Sequence, residues 1–210
     1  MVSWFTYLFM ALWPAQKDYY AYTPTEFFAL EAVNQTIDIQ NLDTELLEAA
    51  IFQASNEVRL QQKKDTFGPN DLLHKAARQH AVYLAKSKKV DHRNTRNKKL
   101  ATPYKRVLAY GGDDFMGVAE NLALISPVLL GKDNMYYIKN GEPVDKQGNP
   151  LPVSTYAQFA RKALEGWMNS KGHRENLMGP YTLLGCAISG ISFNRDNVPQ
   201  VTFVQNFGYK

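Results

Sequence analysis

Cysteine is almost absent from this chain: Cys186 is the only one in 210 residues, so no disulfide can form within it. A chain of this length can bury a full core without such staples. Cys186 stands in the apolar run LLGCAIS, away from any basic neighbour or helix terminus that would activate a thiol. It reads as a small buried hydrophobe. The marks of the common hydrolases are missing as well. There is no HExxH and no G-x-S-x-G, and the H-x-E at residues 173 to 175 lacks the downstream P-C-x-x-C of a zinc deaminase. Internal repeats and low-complexity tracts are absent. No apolar run is long enough to span a membrane as a helix.

Hydrophobic residues make up 45% of the chain and charged residues 21%, the profile of a globular domain with a short appendage. The net charge of +4 favours anionic partners over cationic ones. Residues 1 to 16 carry no charge, and a hydrophobic run there ends near Pro14 and Ala15. That run is of the length of a signal-peptide core, so residues 1 to 15 are expected to direct export to the outside of the cell or to the cell envelope. No integral membrane segment is expected in the mature chain. Residues 16 to 42 hold Tyr19, Tyr20, Tyr22, Phe27 and Phe28 without a clear period and are expected to form a connecting arm.

From Asp43 the pattern changes. Leu47, Ile51, Ala54 and Val58 recur along one helical face, with Asp43 as its cap. After Phe67, Gly68 and Pro69, either Asn70 or Asp71 caps a second helix with the stripe Leu73, Ala76 or Ala77, His80 or Ala81, and Leu84. Thr155 and Gln158 form a capping box for a third helix that runs through Ala160, Ala163 and Trp167. Leu184, Cys186 and Ile188, then Val201 and Phe203, alternate on either side of the NRDNVP loop and predict a β-hairpin. Ahead of the third helix, residues 127 to 153 read as an insertion with turns at Asn140-Gly141 and at residues 147 to 149. Helices first and a hairpin last indicate an α+β domain with a mainly antiparallel sheet covered by helices.

The chemistry gathers on few residues. His173 follows Gly172 after the third helix, so a tight turn is expected to aim its imidazole into a cleft. His92 and Glu120 are its natural partners. Two imidazoles and a carboxylate can hold a divalent metal or move a proton. Ser170, Asn169 and Arg174 lie beside His173 and are candidates to line the same cleft, although Arg174 can equally pair with a carboxylate. His80 falls on an apolar stripe and is expected to be a hydrogen-bonded core histidine; His74 is expected in solvent. Residues 86 to 106 hold nine basic side chains and one acid, Asp91. This run reads as a solvated loop that makes the mouth of the cleft positive. Nucleic acid is not an expected partner, because the aromatics do not interleave with these cations.

The phrase NEVR at residues 56 to 59, the helix with His80, the lone His92, AEN at residues 119 to 121, WMNSKGHRENLM, LLGCAIS and TFVQNF occur in an order that closely resembles the CAP superfamily of cysteine-rich secretory, antigen 5 and pathogenesis-related proteins, or SCP domains. The resemblance covers residues 43 to 210 and looks like the disulfide-free bacterial branch. It implies a three-layer α/β/α sandwich whose cleft carries His92, His173 and Glu120. Ser170 stands where many members have a second glutamate, and Glu165 is not equivalent to it. The expected molecule is a secreted, monomeric domain with a cleft for a small-molecule, lipid-like or anionic cell-envelope ligand or, by the chemistry of these side chains, for zinc, calcium or magnesium on His92 and His173 with Glu120. Binding without turnover is the first expectation. Its alternative is a metal-assisted hydrolase in which Glu120 activates water and Ser170 or Asn169 positions the substrate.

Overall fold

A computed structural model describes residues 18 to 87, 89 to 130, 135 to 140 and 142 to 210. The expected signal peptide, residues 1 to 15, lies outside them. The elements run α1 (Pro24–Phe28), α2 (Thr44–Gln61), β1 (Gly68–Pro69), α3 (Asp71–Ser87), α4 (Pro103–Leu108), β2 (Gly117–Ile125), β3 (Tyr137–Lys139), β4 (Glu142–Val144), α5 (Tyr156–Asn169), α6 (Lys171–Met178), β5 (Leu183–Phe193) and β6 (Pro199–Tyr209).

Helix starts lie where the side chains can cap them. Asp43 Oδ1 accepts from the Leu46 amide at 2.9 Å. Asn70 caps α3, its Oδ1 accepting from the Leu72 and Leu73 amides at 3.1 Å each. Thr155 and Gln158 form the reciprocal capping box of α5. These bonds satisfy first-turn amides that have no partner within the helix.

The main sheet has the order β1-β5-β6-β2. β2 with β6 and β5 with β6 are antiparallel, while the two-residue β1 is parallel to β5, so the sheet is mixed but mainly antiparallel. Alternation along β5 and β6 sorts two cores onto opposite faces. Leu184, Cys186, Ile188, Phe203 and Phe207 pack under α2 and α5, where Phe159 and Trp167 also lie. Ala187, Val204 and Leu122 pack against Ala77, Ala81 and Leu84 of α3 on the other face. This is the three-layer α/β/α sandwich. A fully buried phenylalanine such as Phe203 or Phe207 contributes roughly 1.5–3 kcal/mol through area removed from water.

The stretch expected as a connecting arm is part of the core. Phe27, Val33 and Ile37 are buried, and Tyr20 meets Phe52 edge to face at 5.0 Å. Gln53 donates from α2 to the Tyr19 and Tyr22 carbonyls at 3.0 and 2.9 Å. With the sheet below and this arm above, α2 is buried continuously from Leu46 to Asn56. The insertion holds the small β3–β4 hairpin, whose turn has Asn140 at φ 53°, a left-handed position that asparagine tolerates. Among the described residues, no helix is long and apolar enough to cross a membrane.

Candidate functional site

Glu120 is the centre of a buried polar cluster at the edge strand β2. It lies on the α3 face of the sheet, opposite Asn206 of β6. Its Oε1 accepts from His92 Nδ1 at 2.9 Å, and its Oε2 accepts from the Arg106 guanidinium. Once its amide is oriented so that both ends meet complementary partners, Asn206 donates to Glu120 Oε2 at 3.1 Å and accepts from the Ala77 amide at 3.0 Å. Arg106, delivered by the short α4, has no exposed surface. It also donates to the His92 carbonyl at 3.2 Å and the Leu100 carbonyl at 3.1 Å, so one guanidinium fixes both the carboxylate and the loop that carries His92. Burial pushes this guanidinium below its ordinary pKa, with Glu120 opposing. A buried charge of this kind persists because it is paired and multiply hydrogen-bonded.

His80 sits under the same cluster with no exposed surface. Its Nε2 donates to the Asp91 carbonyl at 2.9 Å and lies 3.8 Å from Glu120 Oε1. The core placement is as expected, but among the described residues its Nδ1 has no partner. His74 is not simply solvated: its Nε2 donates to the buried Glu48 at 3.0 Å.

His173 is not in a tight turn between elements. It lies in the first turn of α6, with Gly172 one residue before it inside the same helix. Gly172 occupies a position whose amide has no intrahelical partner, so the glycine costs less there than in a helix interior. The next residue of β2 after Glu120 holds this helix from the opposite face. Asn121 Nδ2 donates to the His173 carbonyl at 3.2 Å, and Asn176 donates to Asn121 Oδ1 at 2.9 Å and to the Glu120 carbonyl at 3.2 Å. Two consecutive residues of an edge strand, pointing to opposite faces, therefore secure the two histidine-bearing segments. Arg59 of the NEVR phrase anchors the far end of α6, donating to the Leu177 and Gly179 carbonyls at 2.9 and 3.2 Å. Trp167 is core and donates to the Leu122 carbonyl at 3.1 Å, and its ring lies 6.3 Å from the His173 ring.

The remaining candidates separate. Ser170 joins α5 to α6 without a side-chain capping bond, and Asn169 is exposed beside it. Among the described residues, Arg174 neither pairs with a carboxylate nor bonds to the cleft residues; it donates to the Met168 carbonyl at 2.6 Å, closing the end of α5. Glu165 faces a groove between α2 and α5 and takes no part in the cluster. The basic run is likewise divided, since Arg106 is interior while Arg96, Lys98 and Lys99 are exposed. Sequence reasoning singles out neither Arg106 nor Asn206, and no local signal marks them: one reads as part of a basic loop, the other as part of a strand.

The sequence of this sandwich matches the cysteine-rich secretory protein family model over residues 52 to 207. The chain belongs to the CAP family. Among solved structures, this CAP domain is similar to an outer surface protein of Borrelia burgdorferi, with 18% identity and a TM-score of 0.52, over 84% of this chain and 98% of that one. It is also similar to an extracellular SCP-domain protein of Bacillus anthracis, with 20% identity and a TM-score of 0.52, over 80% of this chain and 41% of that one. These likenesses concern the fold. No curated protein matches the sequence.

The histidines of the CAP domain titrate in opposite senses. The hydrogen bond to Glu120 holds His92 above the ordinary value of 6.5, whereas burial holds His80 and His173 below it. His92 therefore contributes stability that is fully present below pH 6.5 and is lost as pH rises through its raised folded value. His80 contributes stability that is present above pH 6.5 and is lost as pH falls toward its depressed folded value. Urea unfolding across pH 5.5 to 8.5 is expected to show both slopes. His80→Gln should flatten the acid side and His92→Gln the alkaline side; parallel curves for all three proteins would refute this assignment.

Proposed function

We propose that this CAP domain acts outside the cell or at its surface as a binding module, with His92 and His173 presenting a cleft to a ligand and no turnover. The outer surface and extracellular descriptions of similar structures support that location. The observation that carries the reading is the state of Glu120: both carboxylate oxygens already accept bonds from His92 and Arg106. A carboxylate so engaged is not free to deprotonate water, which disfavours the metal-assisted hydrolase. Lipid-like and anionic small molecules remain the ligand classes that suit the cleft.

For a divalent metal, the donor set decides the fit. Calcium and magnesium require oxygen ligands, and the oxygens of Glu120 are engaged, so neither suits this site. Among the described residues, no group of three or more His, Cys, Asp or Glu side chains stands together to hold an ion. Two imidazoles suit zinc. His92 would bind through Nε2, with Glu120 orienting the ring from behind through Nδ1, and His173 would be the second ligand. Zinc bound there would supply a Lewis acid for anchoring a ligand's oxygen or nitrogen. His173, held below its ordinary pKa, is neutral at pH 7 and ready to bind. The raised pKa of His92 means that zinc affinity should increase with pH through the neutral range.

Calorimetric titration of the full chain tests this reading. Zinc is expected to bind while calcium and magnesium give no heat, and His92→Ala or His173→Ala should each weaken zinc at least about tenfold. Glu120→Gln should weaken it by about 10–100-fold, as loss of a supporting partner does. Zinc heat that survives both histidine substitutions would sink the assignment of these ligands.

A further inference from the structure

The outer face of α3 carries a second candidate site, lined by none of His92, Glu120 or His173. Leu73, Ala76, Ala77, His80, Ala81 and Leu84 turn inward, which leaves Lys75, Arg78, Val82 and Lys86 along the opposite side. The loop after His92 folds back beside this face and contributes Arg96, and Tyr110 follows α4 into the same wall. Together they border an open groove of about 510 Å³, within the size range of small-ligand sites.

Its charge is of one sign. Arg78 is matched by the buried Glu48 at 2.7 Å. Lys75, Lys86 and Arg96 make no ion pair or side-chain hydrogen bond among the described residues, and no aspartate or glutamate lines the groove. Three unmatched cations around one concavity focus a positive potential into it. The aromatic walls add a second requirement. Tyr83 stacks one face on His80, with ring centroids 5.6 Å apart, and its hydroxyl is engaged with Thr95 at 3.1 Å. Tyr83 thus offers the groove ring surface and not a free donor. Tyr110 is 39% exposed, and Val82 of the same lining is equally so. Ring surface suits the apolar face of a flat ring, while lysine and arginine suit the anions attached to it.

We infer that this groove binds an acidic saccharide, a sugar bearing sulfate, phosphate or carboxylate groups, with Lys75, Lys86 and Arg96 meeting the anions and Tyr110 and Tyr83 meeting the sugar ring. The site is independent of the histidine cleft, and zinc titration of the cleft reports on one without the other.

The test is binding of a sulfated hexasaccharide to the full chain, with a neutral hexasaccharide, inorganic sulfate, a hexathymidylate and phosphatidylglycerol vesicles as comparison probes. The sulfated hexasaccharide should bind best and weaken with salt. Replacing Lys75, Lys86 and Arg96 together with glutamine should weaken it at least about tenfold, because three charge contacts are lost. Tyr110→Ala should weaken the hexasaccharide about three- to tenfold and leave inorganic sulfate unchanged, as expected for lost ring contact. Lys98→Gln with Lys99→Gln, on the same loop but outside the groove, should change neither. All variants should melt and bind zinc as the parent does. Equal binding by the triple variant, equal loss with the Lys98 and Lys99 pair, or equal affinity for the neutral sugar would overturn the proposal. So would tighter binding of the hexathymidylate or the vesicles with the same residue dependence, which would assign the groove to nucleic acid or to a lipid surface.

Discussion

Arg106→Met is expected to lower the free energy of unfolding by about 3–5 kcal/mol, because it leaves the Glu120 carboxylate buried without its charge partner. Arg106 and Glu120 are 0% and 5% exposed, so water cannot replace the lost guanidinium without opening the edge of the sheet. The same substitution removes the donors to the His92 and Leu100 carbonyls. The zinc binding proposed for the cleft should therefore fall with stability. Urea unfolding measures the first effect, and the double variant with Glu120→Gln separates the causes. If the unpaired charge is responsible, the double variant recovers part of the loss. A single variant as stable as the parent would show that the pair holds nothing in place.

Gly185→Ala should rank next. A β-carbon there would lie 2.1 Å from the His74 amide nitrogen and 2.3 Å from the Leu73 carbonyl carbon. Both are backbone atoms of α3, which cannot rotate aside as a side chain can. The helix must lift from the sheet, at a cost of at least about 1–3 kcal/mol, the usual range for overpacking. Gly172→Ala provides the contrast. Nothing lies within 4 Å of its added carbon. That change should be neutral or should stabilise α6 by up to about 1 kcal/mol. Thermal unfolding of the two variants measures the difference, and equal midpoints would refute the close approach of helix and sheet.

Much of the sandwich is legible in the sequence, because its helices begin with residues that cap and its strands alternate. Asp43, Thr155 and the apolar positions of β5 and β6 each obey a local rule, and the structure follows them. The aromatic arm is not legible. Its residues cover α2 from above, and a covering segment need not share the period of a helix or a strand. His92, Glu120 and His173 stand out through the order of the phrases around them, and the structure joins His92 directly to Glu120. The sequence misleads about the geometry of His173, because a glycine after a helix suits a turn as well as it suits the start of another helix, and here it does the second. Arg106 is hidden for a different reason. Among the nine cations of residues 86 to 106, only the three-dimensional position of Glu120 decides which one is drawn inside.

The place of β6 has a consequence for how such a domain comes into being. It is an inner strand of the main sheet, bonded to β5 on one side and β2 on the other, and it follows every other described element in the chain. β2, with Glu120 on it, hydrogen-bonds to no other strand of that sheet. During synthesis, helices and the first strands can emerge without any means of closing the core, since the pairing that completes it joins segments far apart in sequence. Closure of the core therefore waits on β6, the strand that joins β5 to β2.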